Sequence, residues 1–222
     1  MNQIQQINDP DIDHLVSYLR TIPFDTNITP EEFGYSNPVL ICMDAVLSIN
    51  RKYYSFVVPR INHFSETYPW VQTLLELKNL IQKVGYEGFC VLWKYNHLNR
   101  VKILETLATK FIVYGQEIGE IDNLIAMKNW AQKSSVLEYK TFQVNGIGLA
   151  TFQYLRMMLG VSTVKPDVHI KKAVSLALNK RVSDLEAIWL VEQASIAMGL
   201  NPRMVDNNLW RSFASDKHLM PK

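Results

Sequence analysis

Apolar residues in this chain recur at intervals of three and four, and almost nowhere do they alternate with polar ones. The clearest stretch is Asn99–Ile112. Val101, Ile103, Leu104, Leu107 and Phe111 fall on one helical face there, and Arg100, Lys102 and Glu105 on the other. The same period runs through Val39–Tyr53, Trp70–Lys83, Ile121–Lys133, Leu149–Leu159, Asp184–Met198 and Pro202–Phe213, with shorter helices at Asp11–Leu19 and from Asp167 to Leu178. Prolines and glycines punctuate these segments. Thr21–Pro38 reads as a loop, Tyr68-Pro69 as a break, Gly85 and Gly88 as a turn, Gly160 as a stop and Gly199 as a C-cap. The expected fold class is all-α.

A chain of 222 residues, 48 % of them hydrophobic, can bury a substantial core in one compact unit or in two small lobes. No apolar run approaches the length of a bilayer span, so no membrane partner is expected. The polar, acidic start Met1–His14 lacks the basic and apolar segments of a signal peptide, and a soluble intracellular setting is expected. Cys42 and Cys90 lie far apart in apolar sequence, which offers no disulfide framework and no four-cysteine metal site; both read as buried core thiols.

A net charge of +2 does not announce a nucleic-acid binder, so such a role would have to come from local clusters. Lys165–Arg181 holds Lys165, Lys171, Lys172, Lys180 and Arg181 against Asp167 alone, and Lys94, Arg100, Lys102 and Lys110 form a looser group. Either group also reads as an ordinary solvated helix face.

The most informative stretch is Val144-Asn145-Gly146-Ile147-Gly148-Leu149-Ala150-Thr151, followed by Val164-Lys165-Pro166-Asp167-Val168-His169-Ile170. An apolar-x-Gly-apolar-Gly segment between two helices is a tight turn. Gly146 can take a positive φ, and the bare backbone at Gly148 lets a ligand come close. The amides opening the next helix lack intrahelical acceptors and sit at the positive end of its dipole, which suits a phosphate oxygen. An ordinary glycine-containing connection would look the same. Asp167 lies nineteen positions beyond Gly148, after a helix just long enough to turn the chain back.

Together Val144–Ile170 resembles the helix-hairpin-helix and Gly/Pro–Asp signature of the endonuclease III-like DNA glycosylase superfamily. In that superfamily a hairpin of the type Leu-Pro-Gly-Val-Gly is followed, after its second helix, by a run like Val-Asp-Thr-His-Val. Weaker likenesses extend over Val39–Phe213. Asp44-Ala45-Val46-Leu47-Ser48-Ile49-Asn50 resembles the early helix ending in Leu-Ser-x-Gln, with Asn50 in place of the glutamine. Val84-Gly85-Tyr86 and Arg100-Val101-Lys102 resemble the Gly-Tyr and lysine-bearing segments, and Asp206-Asn207-Asn208-Leu209-Trp210 a closing helix.

The resemblance implies two helical lobes with a DNA-binding cleft between them. One covers residues 35–159 and ends with the hairpin. The other joins residues 1–34 to 160–222 and carries the aspartate loop, the hairpin and Asp167 facing the same side. The implied activity is that of a DNA N-glycosylase, which flips and excises a damaged or mismatched base from duplex DNA in base excision repair. Asp167 would stabilise the positive charge that builds on the sugar as the base departs, and orient or deprotonate the attacking water. Its position equally suits a helix cap, and both roles can hold.

Val144, Asn145, Gly146, Ile147, Gly148, Ala150, Thr151 and Lys165 would contact the DNA, and Asn50 and Tyr53 would line the base pocket or fill the gap. Tyr54, Trp70, Trp93 and Trp130 are pocket aromatics or core. Relatives that also cut the backbone carry a lysine two residues after the second hairpin glycine. Ala150 stands there and has no amine for a Schiff base, so a monofunctional enzyme is expected, Lys165 being the one alternative. No metal and no cofactor is implied beyond a monovalent cation at the hairpin. His169 reads as architectural, hydrogen-bonding across the loop. The chain would act as a monomer, at the nucleoid or in a nucleus. The competing reading is a catalytically inactive helix-hairpin-helix DNA-binding protein, which would keep Gly146 and Gly148 but have no use for Asp167.

Overall fold

A computed structural model describes residues 10–25 and 35–214. The start of the chain before Pro10 and the middle of the Thr21–Pro38 loop lie outside the described residues. The protein is all-α. Among the described residues there are ten α-helices and no strand: α1 (Pro10–Leu19), α2 (Pro38–Leu47), α3 (Val58–Thr67), α4 (Leu74–Leu92), α5 (Leu98–Ile118), α6 (Asn123–Lys133), α7 (Leu149–Met158), α8 (Val168–Leu178), α9 (Asp184–Ala197) and α10 (Pro202–Ala214). None of them is long and apolar enough to cross a membrane.

The helix starts follow from local chemistry. Asn37 caps α2 by accepting the Val39 amide, with Pro38 supplying a first-turn residue that has no amide to satisfy. Thr73 with Glu76 and Ser183 with Glu186 form capping boxes on α4 and α9. Asp122 accepts the Leu124 and Ile125 amides at the start of α6. Gly119 in the left-handed conformation closes α5.

The chain divides into two compact units, Phe33–Val161 and Met1–Glu32 with Ser162–Lys222. In the first, α5 packs against α4, α2 and α6, and α7 against α2 and α6. Its core holds Phe64, Phe89, Trp93, Phe111 and Phe152, all fully buried. Phe111, Trp130, Phe142 and Phe152 meet ring to ring at 5.0–6.2 Å, several of them edge-on. Both cysteines are buried, and burial pushes the Cys42 thiol up. In the second unit α1 and α10 each pack on both α8 and α9, around Leu15, Leu19, Ile170, Val174, Val191, Val205 and Leu209.

The turn expected at the glycine pair is present at Gly85, where φ 71° and ψ 172° leave the helical region, so that Leu74–Leu92 is two helical pieces meeting at a kink; Gly88 lies inside the second piece, which buries Phe89 and Cys90. One helix differs from the sequence expectation: Val39–Tyr53 stops at Leu47. The Ser48 amide closes onto the Asp44 carbonyl, Asn50 turns left-handed, and a π-helical turn at Tyr53–Val57 leads into α3.

Candidate functional site

The hairpin is closed by the Ile147 amide, which donates to the Val144 carbonyl at 3.0 Å. Val144, Ile147 and Leu149 are buried, while Asn145, Gly146 and Gly148 are exposed. The apolar residues thus seat the turn on its unit and leave its glycine edge facing solvent. Gly146 has φ +92°, a conformation that L side chains rarely adopt. Gly148 is the N-cap of α7, and no side chain caps that helix. Its opening amides therefore keep the positive character of a helix start. Ala150 and Thr151 lie half-buried in the first turn.

The two glycines have different reasons to be there. A Cβ on Gly146 would stand 2.4 Å from Cδ1 of Ile103 on α5, on top of the unfavourable φ. Gly146→Ala is expected to cost the fold about 1–3 kcal/mol. A Cβ on Gly148 meets nothing within 4 Å, and the backbone there is in the β region at φ −89°, ψ 179°. Gly148→Ala is expected to cost less than about 1 kcal/mol. Urea unfolding of the two variants checks the difference; equal losses would contradict it.

Asp167 caps α8. Its Oδ1 accepts the His169 amide at 2.8 Å and the Ile170 amide at 3.1 Å, and its own amide donates to the Lys165 carbonyl across the buried Pro166. The residue is half-buried and retains exposed surface. The His169 ring meets Trp210 edge-on with centroids 6.3 Å apart, in place of the hydrogen bond expected across the loop.

From α10, the buried Asp206 accepts the Lys165 amide at 2.8 Å and so fastens the loop that carries Asp167. Nothing local in the sequence signals this, since the partners lie 41 positions apart. Burial first, and then the charge of Asp167, push the Asp206 carboxyl well above the usual range, against the Lys165 amide and the cations Lys165 and Arg203.

A carboxyl whose folded pKa is raised holds a proton that the unfolded chain loses above about pH 4. Its contribution to stability is present below that pH and declines as pH rises through the folded value. Asp206→Asn keeps an acceptor for the Lys165 amide and is expected to flatten this decline. Urea unfolding of both proteins across pH checks it; parallel curves would contradict it.

The unit Phe33–Val161 also holds a carboxylate that nothing local in the sequence sets apart from its helix. Asp44 on α2 is fully buried. Its Oδ2 accepts the hydroxyls of Tyr35 at 2.7 Å and Tyr53 at 3.1 Å, and its Oδ1 those of Tyr154 at 2.9 Å and Ser48 at 2.9 Å. Burial, followed by the charge of Asp44, pushes Tyr53 up to about 12 and also raises Tyr35 and Tyr154 well above the usual phenol range. Tyr154 belongs to α7, so the cluster ties the helix behind the hairpin to α2.

Tyr53 therefore reaches Asp44 with its hydroxyl, and its ring meets Tyr54 edge-on at 5.6 Å. Asn50 is exposed in the left-handed conformation just beyond α2. Trp93 and Trp130 are core, whereas Tyr54 and Trp70 are exposed.

The hairpin, Asn50 and Tyr53 thus belong to the unit Phe33–Val161, and Lys165 and Asp167 to the other. The basic stretch Lys165–Arg181 is partly neutralised: Lys171 pairs with Asp184 at 2.8 Å and Lys180 with Asp11.

No curated protein and no solved structure matches the chain. The family described as a domain of unknown function (DUF8548) matches residues 14–214, and the chain belongs to that family.

Proposed function

We propose that this protein is a monofunctional DNA N-glycosylase: the hairpin Val144–Gly148 holds a phosphate of duplex DNA, and Asp167 assists hydrolysis of the bond between a flipped base and its deoxyribose. The observation that carries the reading is the exposed glycine edge of the hairpin at an uncapped helix start, in one chain with a partly exposed aspartate after Pro166. In the reaction the bond from C1′ to the base nitrogen breaks and the electron pair leaves with the base. A water oxygen bonds C1′, and its proton passes to the carboxylate or to solvent while the base takes up another. Asp167 faces the cationic sugar with a charge already in place. Extruding the base costs a few kcal/mol, offset by contacts to the displaced nucleotide; Asn50 and Tyr53 are the residues proposed to make them. The chemistry needs no metal or cofactor, and Ala150 leaves no amine at the hairpin for lyase action.

A second reading, a binding protein without catalysis, is favoured by one observation: Asp167 already has a structural task as the cap of α8. A screen for base release from duplexes carrying oxidised, alkylated and mismatched bases, read by mass spectrometry for the wild type and Asp167→Asn, separates the two. Release by the wild type alone supports the enzyme. Release by neither protein, with DNA bound by both, supports the binding protein.

A further inference from the structure

Between Ala45 and Ser65, and again between Gly88 and Leu104, the chain contains no acidic residue, although it places Arg51, Lys52, Arg60, Lys94, Arg100 and Lys102 there. The fold brings the two segments together. Arg51 Nη2 donates to the Tyr95 hydroxyl at 2.8 Å, Arg60 Nε to the Lys94 carbonyl at 2.9 Å, and Arg100 Nη2 to the Ile49 carbonyl at 3.2 Å. Both forks lie over rings: the Arg60 guanidinium carbon is 3.6 Å from the Phe56 centroid, and that of Arg51 is 5.5 Å from the centroids of both Phe56 and Tyr95. Phe56 and Tyr95 themselves meet edge-on at 4.9 Å.

This arrangement gathers like charges. No carboxylate among the described residues pairs with Arg51 or Arg60. Burial lowers the Arg60 pKa, and the neighbouring charge of Arg51 lowers it too, partly offset by Tyr95. Ring faces and backbone carbonyls hold the two forks in place, and both keep N–H donors unused by these bonds. Planar forks of this kind match a phosphate. In the same two segments Lys52 and Lys94 are exposed, and Tyr54, three residues on from Arg51, is 65 % exposed. A ring open to solvent in a segment rich in cations suits an unstacked base, which a duplex does not offer.

We propose that Arg51 and Arg60 form a phosphate-binding subsite for an unpaired nucleic-acid strand, with the exposed Tyr54 presenting its ring to a base. The subsite lies outside the hairpin and makes no use of Asp167, so it stands or falls by binding alone, whether or not the protein releases a base.

The test is fluorescence anisotropy with a labelled single-stranded DNA of about 16 nucleotides, a duplex of the same length, and inorganic phosphate as competitor. The double variant Arg51→Gln/Arg60→Gln is expected to bind the single strand about tenfold more weakly. The slope of log affinity against log salt should fall by about 0.7 for each phosphate that the variant no longer neutralises. Tyr54→Ala should weaken single-strand binding about tenfold and leave duplex binding unchanged. Melting temperature is recorded for each variant. Because Arg60 also packs on Phe56, the exposed Arg51→Gln alone decides the matter should the double variant unfold; it should show one such decrement of slope.

Unchanged affinity and slope in a folded variant would overturn the proposal. So would equal losses on duplex and single strand with no effect of Tyr54→Ala, which would mark a duplex contact. Binding of inorganic phosphate without binding of the oligonucleotide would also overturn it, marking a site for small anions.

Discussion

Asp44→Ala is expected to destabilise the protein by about 3–5 kcal/mol, more than any other single substitution proposed for this fold. The alanine removes the acceptor that the hydroxyls of Tyr35, Tyr53 and Tyr154 share, and a hydrogen bond to a buried charged group is worth about 1.5–3 kcal/mol. Domains of this size are stable by only about 5–15 kcal/mol, so the variant should unfold at markedly lower urea. The contrast lies in the donors. Replacing one tyrosine by phenylalanine leaves Asp44 with three hydroxyl partners, and Tyr154→Phe should cost only about 1 kcal/mol. Equilibrium unfolding in urea ranks the variants. A loss under about 1 kcal/mol for Asp44→Ala would show that the cluster is not a structural anchor.

Asp167→Asn should lower base release at least about a hundredfold while leaving the fold and DNA affinity nearly intact. The reduction follows from removing a charge that faces a cationic sugar in the transition state. The fold should survive because an asparagine oxygen caps a helix as well as an aspartate does, and the His169 and Ile170 amides keep an acceptor. Asp167→Ala removes charge and cap together and should lose about 1 kcal/mol of stability in addition. Mass spectrometry of released bases, anisotropy with the same duplex and urea unfolding separate the effects. Should Asp167→Asn release base at the wild-type rate, the carboxylate serves α8 alone.

How legible these features were depends on how far apart in the chain their parts lie. The amphipathic period of Asn99–Ile112 marked the centre of α5, and Gly146 and Gly148 marked the turn before α7, because period and turn chemistry are local. Gly85 was legible in the same way, since the chain breaks there with a positive φ, whereas Gly88 lies inside the helical piece that buries Phe89 and Cys90. The end of α2 was hidden by Ile49, whose apolar character extended the apparent period past Leu47, where the helix stops before the left-handed Asn50.

The Asp44 cluster was beyond reach: Tyr35 and Tyr53 flank Asp44 by nine positions on either side, and Tyr154 is 110 positions away. No window of sequence contains the Tyr154 contact, and a spacing of nine residues matches neither the helical nor the strand repeat. The arginine pair was partly visible. Two acid-free stretches could be read from the sequence, but their meeting at Arg51, Arg60 and Tyr95 depends on how α3 and the end of α4 pack.

Asp167 is held by the backbone it begins. With one carboxylate oxygen tied to two amides, the side chain has little rotational freedom to surrender when a partner arrives. Whatever uses that charge must be delivered to it, and the Lys165–Asp167 segment, anchored by Asp206, sets where delivery has to end. Loosening that anchor should blur the charge's position before it alters the charge itself.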